Sequence, residues 1–179
     1  MTTDEEPGAA DFTKLRELRP AFDKEGSVTA GNSSSINDGA ALIVAMSEGE
    51  AKRRGLRALA RIVAQASHAH DPKWFTTAPI ACIEKVLKRA GLGADKVDIF
   101  EINEAFAVVA MAAMRELKLP HAKVNPYGGA VALGHPIGAS GARIVVTLIH
   151  GMKARGARYG LATLCIGGGE ASAVVIESM

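Results

Sequence analysis

Apolar positions along the chain follow two rhythms. Ile80, Ile83, Val86 and Leu87 recur at three- and four-residue spacing and predict a helix over 79–90, with Pro79 in its first turn and Gly91 as its stop. Phe106, Val109, Ala110, Ala113, Met114 and Leu117 predict a second helix over 103–117, with Asn103 as its N-cap and Pro120 beyond its end. Ile144, Val145, Leu148 and Met152 predict a third over 142–155, ended by Gly156. Gly151 inside that helix costs about 1 kcal/mol against alanine, so close packing is expected there. Ser47-Glu-Gly-Glu50 is a capping-box pattern and opens a short helix that ends at Gly55.

Between these stretches lie short runs of strand length. The run 39–46 is continuously apolar, as in a strand buried on both faces. Stretches 58–66, 97–102, 159–165 and 171–177 read as further strands, the last two as a hairpin. Residues 12–18 give a helical turn or two before Pro20. Stretches 22–38 and 68–77 are loops, and 1–10 is a mobile polar tail. Strands alternating with helices predict an α/β layered domain. Its sheet is expected to be mixed and mostly parallel, covered by helices, with the closing hairpin adding an antiparallel strand.

Composition narrows this picture. The 179 residues suit one domain, 48% are hydrophobic and only 4% aromatic, so the core is built from Ala, Val, Ile, Leu and Met. A net charge of +2 gives no electrostatic case for nucleic acid or an anionic membrane. No apolar run approaches the roughly 18 residues of a membrane span. The acidic N-terminus lacks a signal-peptide layout. The two cysteines, Cys82 and Cys165, form no disulfide or metal pattern, and a cytoplasmic protein is the expectation.

Three features carry candidate chemistry. The glycine-rich stretch 125–143 holds His135 between Gly134 and Pro136, just ahead of a helix. Glycine permits backbone angles that a Cβ forbids, and proline fixes one dihedral, so the imidazole rides on a tightly specified loop. Cys165-Ile-Gly-Gly-Gly169 ends a strand in bare backbone N–H groups able to face an oxyanion. Asn103 begins a helix after another strand. Each has a plain structural reading: a tight connection, a buried thiol, a helix cap. Parallel-sheet proteins bind ligands at strand C-terminal ends, however, and all three are expected on that one edge. His68, His70 and Asp71 have no third nitrogen or thiolate ligand near them in sequence, which a zinc site usually needs. His121 and His150 read as surface residues and Cys82 as core.

Taken together, Asn103-Glu-Ala-Phe106, Gly134-His-Pro-Ile-Gly-Ala-Ser-Gly141 and Cys165-Ile-Gly-Gly-Gly169 resemble the three C-terminal signature blocks of the thiolases. The likeness continues upstream through Leu18-Arg-Pro-Ala-Phe-Asp23, Val28-Thr-Ala-Gly-Asn32 and Asn37-Asp-Gly-Ala40. The resemblance implies the C-terminal half of a thiolase-like fold over 25–179. Residues 1–24 would then be a tail and the remnant of the segment joining the halves.

It also implies a reversible thiolytic or Claisen-type acyl transfer on CoA thioesters, two acetyl-CoA giving acetoacetyl-CoA and CoA, with no cofactor besides that substrate. By resemblance Cys165 is the acid/base for the acetyl methyl group. His135 activates the nucleophilic thiol and helps bind the thioester oxygen, and Asn103 holds a water in that oxyanion site. The N–H of Gly167 serves a second oxyanion hole. Ser34 contacts the pantetheine arm and Phe106 lines its tunnel.

Two departures stand out. The family's acyl-carrying cysteine belongs to an N-terminal half, and neither Cys82 nor Cys165 matches it. Phe75-Thr-Thr-Ala-Pro79 stands where the family has a Met-Gly-Ile-Gly-Pro-like loop, which alters the acyl pocket. The expectation is a chain inactive alone, needing an N-terminal half in cis or trans, and a homo-oligomer when complete. The alternative is a non-catalytic module that binds CoA or a partner; a related acyl-carrier condensing enzyme fits the Cys165 block less well.

Overall fold

The computed structural model describes residues 10–179 together with Thr3 and Gly8; the polar tail expected over 1–10 otherwise lies outside the described residues. Four strands, β1 (Ala60–Ala69), β2 (Ile99–Ile102), β3 (Tyr159–Ile166) and β4 (Glu170–Ser178), form one sheet in the order β1-β4-β3-β2. β3 and β4 make the expected hairpin, from Tyr159 opposite Glu177 to Ile166 opposite Glu170. β1 lies antiparallel to β4, with a bulge between Ile62 and Ala64. β2 runs parallel to β3, with Ile102 beside Thr163. The sheet is therefore mixed and layered with helices, as expected. Among the described strands the one parallel pairing is β2–β3, fewer than the alternation of elements implied, because β1 pairs with the outer hairpin strand rather than with a parallel neighbour.

Among the described residues the α-helices are α1 (Glu48–Arg53), α2 (Ala78–Ala90), α3 (Ala107–Leu117), α4 (Ala130–Leu133) and α5 (Ser140–Arg155). α2 and α3 cover one face: Cys82, Ile83, Val86, Val109 and Ala113 pack with Phe100, Ile102, Leu161, Cys165 and Val175. α5 packs on the other, setting Ile144, Leu148 and Met152 against Ile99, Ala162 and Ile176. The low aromatic content is matched by small contact residues. A Cβ at Gly160 would run into Met152 and Leu148 of α5, and one at Gly151 would come within 2.8 Å of the Tyr127 ring. Close packing at Gly151 is thus present.

Local signals act as expected at several ends. The Ser47 hydroxyl accepts from the Glu50 N–H and opens α1. Gly91 and Gly156, at φ 66° and 61°, close α2 and α5 in the left-handed conformation.

Other expectations fail. The stretch 68–77, expected as a loop, holds the last two residues of β1 and a 3-10 helix over Pro72–Thr77. Stretch 39–46 forms no strand. It runs as irregular chain with Leu42 80% and Val44 73% exposed, since no described strand lies alongside to complete its ladder. And α3 starts at Ala107, so Asn103 is not its N-cap. The chain from Asn103 to Phe106 stays out of the helix because it is drawn against the early loop: Ser33 bridges to Phe106 and the Ser34 N–H donates to the Ala105 carbonyl at 3.2 Å. Asn103 is left to turn its amide to other use.

Candidate active site

The edge beyond β2 is built by one side chain. Asn125 accepts from the Ile102 N–H and donates to the Ile102 carbonyl, both at 2.8 Å, and donates to Glu104 Oε1 at 2.7 Å. Glu104 in turn accepts from the Val131 N–H at 3.2 Å. A Cβ at Gly129 would strike the Glu104 carboxylate. The glycine-rich stretch is thereby tied to the segment that carries Asn103. Further on, Gly134 takes φ 87° and a Cβ there would meet the Asn37 side chain. The His135 N–H donates to the Ser35 carbonyl at 2.9 Å. The backbone of residue 135 is thus anchored to the early loop, just ahead of the start of α5.

His135 Nδ1 lies 2.5 Å from Ser140 Oγ, and that hydroxyl donates to the Pro136 carbonyl at 3.1 Å. The hydroxyl has one proton to give, so Nδ1 carries its own proton when Pro136 receives that of Ser140 and accepts when it does not. Nε2 faces Asn103 Nδ2 at 3.4 Å. Asn103 Oδ1 accepts from Arg143 Nη2 at 3.3 Å. Arg143 Nη1 lies 3.9 Å from Glu101 Oε2. Burial holds the His135 imidazole below its ordinary value, with the Arg143 charge adding to this, so the ring is neutral at neutral pH. Burial pushes the Glu101 carboxyl up to about 7, opposed by Arg143 and reinforced by Glu104. Burial likewise lowers Arg143.

Cys165 sits near the C-terminal end of β3, 7% exposed, and burial pushes its thiol above the ordinary range. Among the described residues no hydrogen bond links it to the His135 network. Register connects them instead: the Asn103 N–H donates to the Thr163 carbonyl at 3.0 Å, two residues before Cys165. Gly167 follows in the exposed hairpin turn, where a Cβ would meet open space. Gly169 closes the turn at φ 90°, and its carbonyl accepts from the His70 N–H.

Ser34 Oγ donates to the Ala105 carbonyl at 3.1 Å, on the same segment as Asn103. The half-buried Phe106 stacks edge-on against Phe22, with ring centroids 5.6 Å apart, and against Phe75 at 6.5 Å. Phe75 belongs to the altered loop, so that loop reaches the Phe106 ring directly. A cavity of about 450 Å³ lies beside the His135 loop, between Asn37–Ala41 and Pro136–Ala139.

The remaining candidates have structural partners. His70 Nε2 lies 2.7 Å from the Trp74 carbonyl and Asp71 caps the following turn. Cys82 is fully buried with its thiol pushed up to about 11, and it donates to the Ala66 and Ala171 carbonyls.

Sequence reasoning missed Ser140, Arg143 and Glu101. A glutamate inside the short apolar run of β2 was the available signal for one. Ser140 lay within the Gly134–Gly141 block but without a role, because its reach back to His135 depends on how the loop folds.

The thiolase C-terminal domain family matches residues 56–178, and the thiolase N-terminal domain family matches 1–49. An acetyl-CoA acetyltransferase of Shinella zoogloeoides is 55% identical over 170 residues, 95% of this chain and 43% of that protein. The crystal structure of the Bacillus anthracis acetyl-CoA acetyltransferase superposes with a TM-score of 0.94 at 49% identity, over 99% of this chain and 45% of that one. The Acat5 thiolase of Ascaris suum, solved in complex with coenzyme A, gives 0.90 at 41%, over 100% and 47%. The chain thus spans less than half the length of these relatives, and match, fold and identity agree: it belongs to the thiolase family.

Proposed function

We propose that this chain supplies the C-terminal share of an acetyl-CoA acetyltransferase site, acting reversibly on two acetyl-CoA to give acetoacetyl-CoA and CoA. The observation that carries the reading is the neutral His135, with Nε2 beside the Asn103 amide at the strand end that leads to Cys165. The acyl-carrying thiol comes from an N-terminal half, in the same polypeptide or another. Its proton passes to His135 Nε2, and the thiolate attacks the thioester carbonyl.

The protonated imidazole and the Asn103 amide then both point donors at the oxygen that gains charge, directly or through a water. In the condensing direction Cys165, as thiolate, takes a proton from the acetyl methyl group while the Gly167 N–H steadies the enolate oxygen. In the thiolytic direction Cys165, as thiol, returns that proton to carbon. Its raised value suits the second role at rest. Ser34 and Phe106 border the path of the pantetheine arm. Coenzyme A in the Ascaris relative's structure supports that ligand class.

The test is acetoacetyl-CoA thiolysis by this chain alone and mixed with an N-terminal thiolase half. Turnover only in the mixture is expected, and its loss in His135→Ala and Cys165→Ala. Turnover by the chain alone would overturn the requirement for the second half. CoA binding with no turnover in either case would favour the alternative, a non-catalytic binding module, to which the exposed Leu42 and Val44 also lend support.

A further inference from the structure

We propose that Arg143 is a positioning residue that fixes which way the Asn103 amide faces, and through it which nitrogen of His135 carries the proton. An amide can turn over, exchanging its donor and acceptor ends, and a neutral imidazole can place its proton on either nitrogen. Arginine can only donate. Arg143 Nη2 aimed at one end of the Asn103 amide requires that end to be the oxygen. The NH2 end is then turned to His135 Nε2, which must accept. The proton is left on Nδ1, where Ser140 receives it and passes its own to Pro136. One permanent donor sets the direction of every bond in the series.

The energetics of Arg143 point the same way. Its side chain is largely buried, Nε and Nη1 have no hydrogen-bond partner among the described residues, and Glu101 Oε1 has none either. At 3.9 Å the Arg143–Glu101 contact is an ion pair without a hydrogen bond. Such a pair is poor at stabilising a fold, because removing both charges from water costs more than a loose contact returns. The bond to Asn103 is what the arrangement achieves. Its catalytic meaning rests on the acyl-transfer reading: the lock presents Nε2 as a base to an incoming thiol and keeps the amide donor facing the same point once Nε2 is protonated.

The test reads the imidazole directly and needs no turnover, so failure of the thiolase reading would leave it intact. The 179-residue chain is labelled with ¹⁵N-histidine, and long-range proton–nitrogen correlations give the protonation of each ring nitrogen. His135→Gln identifies the His135 signals. The wild type is expected to show a protonated Nδ1 and a bare Nε2. Arg143→Met should lose that preference, with the Nε2 resonance moving toward the protonated range, and Arg143→Lys, which keeps a donor, should retain it. A wild type protonated at Nε2, an unchanged pattern in Arg143→Met, or equal loss in both arginine variants would each overturn the proposal. Should Arg143→Met fail to fold, Asn103→Asp decides. A carboxylate only accepts, so Nε2 must there become protonated, and a bare Nε2 in that variant would refute the lock.

Discussion

Ser140 Oγ and His135 Nδ1 stand 2.5 Å apart, with the serine fully buried at the first residue of α5. The hydroxyl serves two groups, the imidazole and the Pro136 carbonyl. Ser140→Ala removes both bonds and leaves Nδ1 without its partner. A loss of about 1–3 kcal/mol is expected, the range for a buried polar group left unpaired. Urea unfolding of wild type and variant checks this, and equal midpoints would contradict it.

Glu101 makes stability depend on pH in a definite direction. Its ordinary value is 4.5 and its folded value about 7, so the folded chain holds this proton more tightly than the unfolded one. The associated stability is fully present below pH 4.5 and lost as pH rises through 7. The difference corresponds to about 3 kcal/mol. Glu101→Gln stays neutral throughout. It is expected to match the wild type near pH 5 and to exceed it in stability near pH 8; a gap that does not change with pH would count against this.

His135 acts in the opposite sense. Its folded value lies below the ordinary 6.5, so the unfolded chain binds that proton more readily. Stability from this group is present above 6.5 and falls as pH drops toward the folded value. His135→Gln should remove part of the acid-side decline measured by unfolding at pH 7 and below, while leaving the alkaline side unaltered.

The two thiols differ in access. Cys165 is 7% exposed with a raised value, and Cys82 is fully buried with a value of about 11. Both are expected to resist iodoacetamide at pH 7. As pH rises, Cys165 should be alkylated before Cys82, followed by peptide mass mapping. Labelling of Cys82 first would mean that the packing of α2 against β1 and β4 is wrong.

The irregular stretch 39–46 exposes apolar side chains with nothing described to receive them. Replacing Leu42 and Val44 together by aspartate should raise the solubility of the isolated chain and move its stability by no more than about 0.5 kcal/mol, as for surface positions without special contacts. Light scattering and urea unfolding test the two halves of that statement.

Much of this fold was legible because the residues that define it act locally. Ser47 caps its helix through a neighbour three residues on, and Gly91 and Gly156 end helices by their own backbone angle. The hairpin of β3 and β4 follows from two apolar runs around a glycine turn. Failures occurred where the deciding partner was remote. Asn103 reads as a cap until Ser34 draws the Ala105 carbonyl across and delays α3. The run 39–46 reads as a core strand because apolar continuity records what a segment is built to meet, while burial depends on what is there to meet it. At the site, His135, Asn103 and Cys165 were visible as unusual residues in constrained settings. Arg143 was not, since an arginine on a helix looks ordinary until its partners are known, and Glu101 showed only as a charge inside an apolar strand, with no sign of what it faces.

Asn125 has a consequence beyond the site. A strand at the border of a sheet offers unpaired N–H and C=O groups, a template on which another chain can add. At β2 the groups of Ile102 are already taken by the Asn125 amide, and the Phe100 carbonyl by the Asn125 N–H. One residue occupies the place a foreign strand would need. Sheet growth at that border requires Asn125 to leave first; Asn125→Ala would free both Ile102 groups while the backbone N–H of residue 125 still holds the Phe100 carbonyl.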